Sequence, residues 1–272
     1  RMDPKSGLAR TGASRTAAGM PSVRGSVTCT IHPPMIPFVR PARADLARCL
    51  FSLFLAVGLS ACATRRATIR DWAQDVTLSP EYGSQDGRLV RWARRPRVGV
   101  YRPSSLEVLE IEWVVSHLAK ALAGTAGAPV LVGVAPPTET VDIEVHLLPA
   151  AELDGFARRH GFRYTPGSHG YFRMFWDEQW QLKRAYVMLA RDEIRPASLR
   201  HYALEELTQC LGFAGDTPHF ADSVFFSRGG SVGRARTLSP LDRQLLRFVY
   251  TRVSPGADRS TLLAAFDRHW PR

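Results

Sequence analysis

The sequence predicts an α+β domain with about five short strands, two long helices and a smaller helical C-terminal part. Three observations carry this. Alternating, β-branched runs occur at Arg97–Arg102 and Val141–Leu148, the period-two pattern of strands. Two capping boxes, Ser104-Ser-Leu-Glu107 and Ser239-Pro-Leu-Asp242, open stretches whose apolar residues fall at helical spacing. Glycines at 124, 127 and 212 stand where such stretches stop. With 45% hydrophobic and 22% charged residues, the composition is that of a folded, water-soluble protein.

The N-terminal part is of another kind. Residues 1–34 are rich in Arg, Ser, Thr, Gly and Pro without apolar periodicity. They read as disordered, or as an upstream extension of a mis-called start with Met35 the favoured initiator. Residues 35–61 read as a signal peptide. Arg40, Arg43 and Arg48 form a basic flank, and Cys49–Leu59 is an apolar run of eleven residues, too short for a bilayer, which needs about 20. Leu59-Ser60-Ala61-Cys62 follows. Small residues there admit a signal peptidase, and the Cys62 thiol is the nucleophile that takes a diacylglyceryl group. This resembles the lipobox of bacterial lipoproteins at every position. Two acyl chains on Cys62 give stable anchoring that one chain does not. The expected location is the cell envelope, lipid-anchored and facing the periplasm. Ala63 favours the outer membrane, because the aspartate that often retains lipoproteins in the inner membrane is missing.

Removing residues 1–61 takes away eight Lys/Arg and two Asp/Glu, so the charge falls from +11 to +5. The high pI belongs largely to the discarded segment, and no basic stripe with interleaved aromatics remains. Nucleic-acid binding is therefore disfavoured. With Cys29 and Cys49 removed and Cys62 lipidated, Cys210 is left alone as a small core residue.

Residues 62–87 read as a polar tether with some ordered parts at Trp72 and Tyr82, and a single domain is expected over 88–272. Its order is strand (Arg97–Arg102), helix from Ser104 with a stripe of Leu106, Leu109, Trp113, Leu118 and Leu122, and strands at Pro129–Val134 and Val141–Leu148. A short helix follows near Ala150–His160, then strands at Tyr171–Trp176 and Gln181–Ala190 and a helix over 196–212. The C-terminal helical part, 239–268, has a stripe of Leu241, Leu245, Leu246 and Val249 and a last helix near Arg259–Phe266.

The chemistry-bearing segment is the helix at 196–212. His201, Glu205 and Gln209 are spaced by four and share one face, while Ala203, Leu207, Cys210 and Leu211 form the packing face. Glu205-Glu206-Leu-Thr-Gln209-Cys-Leu-Gly212-Phe resembles the zinc helix H-E-x-x-H-x-L-G-L of metzincin metallopeptidases. Leu238-Ser-Pro-Leu-Asp242 through Tyr250 resembles the helix that follows in matrix-type metzincins. More narrowly, Leu204–Phe213, Asp222-Ser-Val-Phe-Phe and Leu238–Gly256 are similar to domain-of-unknown-function family 2927, whose members carry E-E-L-x-Q-x-L-G. The resemblance implies a metzincin-like mixed β-sheet with an active-site-like helix. In the zinc peptidases two imidazoles of that helix bind metal and the intervening Glu is the general base. Here Glu205 and Gln209 stand at the imidazole positions, and only Glu206 matches its counterpart. Gly215 stands where the third ligand is expected, and no methionine follows Met188. The family-standard zinc site is absent.

Two functions compete. The first is a non-catalytic domain without cofactor, a pseudo-peptidase that binds or scaffolds an envelope protein or peptide. In it Glu205, Glu206 and Gln209 make structural hydrogen bonds, and an edge strand at Tyr171–Trp176 offers strand addition. The alternative is a metal-dependent hydrolase with zinc on His201, Glu205 and His219 and with Glu206 as base. Ser227–Gly233 reads as a flexible loop without the lysine of a phosphate loop. His160 and His169 read as surface residues, and the Arg94–Arg97 cluster as solvated or near anionic headgroups.

Overall fold

The computed structural model describes residues 64–79, 87–134, 140–228, 231–232 and 234–271. The extension over 1–34, the signal segment and Cys62 lie outside the described residues. No helix among the described residues is long and apolar enough to cross a membrane.

The first element corrects the sequence reading. Residues 64–78, expected to be part of a tether, form helix α1, with Trp72 and Val76 fully buried and Ala73 nearly so. Trp72 meets Phe220 edge-to-face with centroids 5.7 Å apart. The domain therefore includes this helix.

Strand β1 (Arg97–Tyr101) leads through helix α2 (Ser105–Ala121) to β2 (Val130–Val134) and β3 (Ile143–Leu148). Helix α3 (Ala150–Arg159), the hairpin of β4 (Gly170–Trp176) and β5 (Leu182–Ala190), and helix α4 (Pro196–Gln209) follow. The sheet order is β2-β1-β3-β5-β4. The first four strands are parallel and β4 runs antiparallel to β5 at the edge. Parallel neighbours need crossovers, which α2 and α3 with β4 supply. The fold is thus the expected mixed five-stranded sheet with two long helices.

Alternation on the central strand divides the interior in two. Ile143, Val145 and Leu147 join the large core with α2 and α4. Leu148, on the opposite face, joins Leu153, Phe156 and Ala157 of α3. All six residues of β3 are buried, as expected for a strand covered on both faces. The face that looked polar in the sequence lies under α3.

Helix α2 keeps its predicted capping box at Ser104 and Glu107 but presents a different stripe. Leu106 and Leu109 are 53% and 63% exposed, whereas Ile111, Val114, Val115 and Leu118 are buried. Apolar residues surround much of this helix, and the row 111-114-115-118-122 faces the sheet. The C-terminal part is helical as expected, with α5 (Pro240–Arg252) and α6 (Arg259–His269). The glycine-rich loop contains a short hairpin, β6 (Ser227–Arg228) with β7 (Ser231–Val232). Arg94 pairs with Asp142 through two contacts of 3.0 and 2.5 Å, and Arg95 donates to the Ala128 carbonyl. These arginines serve the fold.

Trp72→Ala removes a buried indole from the core and is expected to lower unfolding free energy by about 3–5 kcal/mol in urea titrations; a tether residue would leave it unchanged.

Candidate functional site

Helix α4 starts on Pro196, whose missing N–H costs nothing in the first turn. Its end is held from outside. The Trp92 indole N–H donates to the Cys210 carbonyl at 2.9 Å, and the Tyr250 hydroxyl donates to that of Leu211 at 2.6 Å. Gly212 then turns the chain with φ +102°, and a Cβ there would lie 2.1 Å from the Val90 carbonyl oxygen. Only glycine permits this approach.

The face bearing His201, Glu205, Glu206 and Gln209 is buried, with 1–7% exposure at each residue. The His201 ring has its Nδ1 2.9 Å from the Ala235 carbonyl oxygen, so Nδ1 carries the proton. Its Nε2 lies 3.3 Å from Glu205 Oε2, without forming a hydrogen bond. Burial pushes the imidazole below its usual pKa, partly opposed by the Ala235 bond. Gln209 donates through Nε2 to Asp216 Oδ1 at 3.3 Å. Glu206 presses on the first residue of β4: a Cβ at Gly170 would stand 2.3 Å from Glu206 Oε1.

The structure brings His201 to Glu205 but does not assemble the expected trio. His219 belongs to the loop beside α1, where it lies close enough to Asp75 to lower that carboxyl's pKa against the larger effect of burial. Among the described residues no group of three or more His, Cys, Asp or Glu side chains is placed to hold a metal ion. The position of the third peptidase ligand is filled by backbone. A Cβ at Gly215 would lie 2.0 Å from the Asp75 carbonyl oxygen and 2.5 Å from that of Ser79, and the Gly215 N–H donates to the Val76 carbonyl. No imidazole fits there. A carboxylate and an amide at the other two positions do not replace paired imidazoles, so the residues present do not fit the zinc of the peptidases.

The remaining motif residues have structural partners. Asp242 accepts from Ser223 Oγ at 2.6 Å, from the Val224 N–H at 3.1 Å and from the Ser239 N–H at 2.8 Å. The Asp222–Phe226 block and the second capping box thereby meet on one carboxylate. Cys210 is buried, with its thiol pKa raised by burial.

A second cluster, on the α3 side of the sheet, was missed in the sequence. Glu144 and His146 of β3 face the same way as Arg184 and Tyr186 of β5. Glu144 Oε2 lies 3.0 Å from His146 Nε2, and its Oε1 accepts from Arg184 at 2.5 and 3.1 Å. His160, expected at the surface, is half-buried with Nδ1 2.9 Å from the Tyr186 hydroxyl. The only hint was the polar alternation Asp142, Glu144, His146; nothing local to the strand says that α3 covers it.

A family model described as protein of unknown function (DUF2927) matches residues 67–267. Among solved structures, two of myroilysin are similar. One has 12% identity and a TM-score of 0.38, covering 64% of this chain and 88% of that chain. The other has 10% identity and a TM-score of 0.37, covering 66% and 93%. No curated protein matches.

Because burial lowers the His201 pKa in the fold, the unfolded chain binds more protons just below its ordinary pKa of about 6.5. The stabilising contribution is complete above that value and is lost as pH falls below it. His201→Asn, which keeps a donor for Ala235, is expected to flatten part of the stability decline between pH 7 and 5 in denaturant titrations. The rest persists through His117 and His160, whose pKa values burial also lowers.

Proposed function

The chain belongs to that family, and we propose that it is a lipid-anchored cell-envelope protein whose peptidase-like domain is non-catalytic and serves binding or scaffolding. The observation that carries the non-catalytic part is the packing at Gly215, where two carbonyl oxygens of the α1 end occupy the space of a third metal ligand. The rest of the α4 polar face supports the same reading. His201 is tied to Ala235, Gln209 to Asp216, and Glu206 rests against Gly170. These contacts tie a helix, a strand edge and two loops together, and Glu206 is buried among them.

Binding in this reading uses the edge strand β4. It pairs with β5 on one side only among the described residues, and Phe175 and Trp176 near its end are half-buried. An extended envelope peptide or protein segment would add as a sixth strand, gaining main-chain hydrogen bonds from the edge and apolar contact from these rings. The membrane partner is lipid on Cys62, with the domain on the periplasmic side and the outer membrane favoured through Ala63.

The competing hydrolase draws on one observation, the 3.3 Å contact of His201 with Glu205, and needs a third ligand that His219, lying by Asp75, does not supply.

Two measurements test the proposal. Metal analysis of the purified, dialysed protein is expected to give far less than one zinc per chain; stoichiometric zinc that disappears in His201→Ala defeats the non-catalytic reading. Cys62→Ser is expected to abolish incorporation of labelled fatty acid and to move the protein out of the membrane fraction. Unchanged labelling would sink the lipid anchor.

A further inference from the structure

The α3 side of the sheet contains a cavity of about 210 Å³ whose walls include Tyr101, Arg102, His146, Phe156, Arg159 and His160. One lining residue, His146, is held by Glu144, whose charge Arg184 balances. The rings stand in a continuous row. Tyr101 stacks on His146 at 4.5 Å, His146 meets Phe156 at 4.4 Å, and Phe156 meets His160 at 4.2 Å. The first of these contacts follows from register, since Tyr101 and His146 are paired neighbours on β1 and β3.

Each imidazole is oriented by a bond at one nitrogen, Nε2 of His146 to Glu144 and Nδ1 of His160 to Tyr186. The second nitrogen of each ring makes no hydrogen bond among the described residues and remains for a ligand. The rim is cationic. Arg159 has no acidic partner among the described residues, and Gly155 leaves it room to lie along α3, with Nη1 3.4 Å from where a Cβ would be. Arg102 has only a long, exposed contact of 3.5 Å with Glu152, a pair of the kind that contributes little. Arg102 also sits at φ +55°, a left-handed backbone that costs a non-glycine residue energy and is concentrated at functional sites.

We propose that this cavity is a binding site for a small organic oxyanion, a carboxylate or phosphate ester. The guanidinium groups of Arg102 and Arg159 bracket the anion, His146 and His160 donate or accept within the pocket, and the Tyr101–Phe156 wall packs on the ligand's carbon body. Guanidinium groups match both oxyanions bidentately. The volume is below that of a drug-sized site, so the ligand carries only a few carbons besides its anionic group. Glu152, which also lines the cavity, competes for Arg102 and is displaced on binding.

The test is titration of the full chain with inorganic phosphate and, separately, with benzoate, followed by the imidazole carbon–proton resonances of His146 and His160. A saturable shift at millimolar probe is expected; response to phosphate alone assigns a phosphate ester, and response to benzoate alone or to both assigns a carboxylate or a tolerant oxyanion site. Arg102→Ala and Arg159→Ala are each expected to weaken binding about tenfold or more, the scale of one charged hydrogen bond. Glu152→Gln is expected to tighten it by removing the competitor. Both arginines are exposed, so unchanged thermal melting of these variants separates lost binding from lost folding. Absence of a saturable shift with either probe, or equal affinity in the Arg102→Ala, Arg159→Ala double variant, overturns the proposal.

Discussion

The interaction on which the rest of the structure depends is the external capping of helix α4. A helix leaves its last carbonyls without partners, and here the partners come from far along the chain: an indole 118 residues before Cys210 and a phenol 39 residues after Leu211. The close approach of Gly212 to Val90 fixes the same junction from the backbone side. The segment carrying Trp92 is thereby locked to the helix, and helix α5 is locked to both, since the backbone N–H of Trp92 donates to the Tyr250 hydroxyl. Burial of Tyr250 raises its pKa, so the phenol stays protonated and able to donate across the physiological range.

This fixed helix end explains why the peptidase-like face of α4 is a mortar between elements rather than an open surface. With the helix unable to rotate or slide, its polar side chains point at the loop carrying Ala235, at the start of β4 and at the loop leading to His219. The same holds for the other segments by which the chain resembles its family. Asp242 completes a capping box and also gathers the Ser223–Val224 turn. The polar residues of α4 are thus engaged in hydrogen bonds that join elements of the fold.

Much of the framework was legible in the sequence because it is written in short-range patterns. The capping boxes at Ser104 and Ser239, the alternation of β3 and the stop at Gly212 all act within a few residues. The face of α2 was harder, because two apolar rows share Leu118 and Leu122 and only the position of the sheet chooses between them. Helix α1 carried a signal that its polar flanks obscured: Ile69, Trp72, Ala73 and Val76 repeat at helical spacing, and Trp72 is wholly buried. The cluster around Glu144 was out of reach. Its meaning depends on Arg184, forty residues away, and on α3 closing over a face that local alternation marks as wet.

Helix α1 has a mechanical consequence. Trp72 and Val76 are sealed in the core, and Arg66 and Arg70 reach across to Asp267 near the far end of the chain. A pull on this helix from its N-terminal side is therefore borne by the packed interior and by α6 together, as strain on the whole domain instead of slack in a cord.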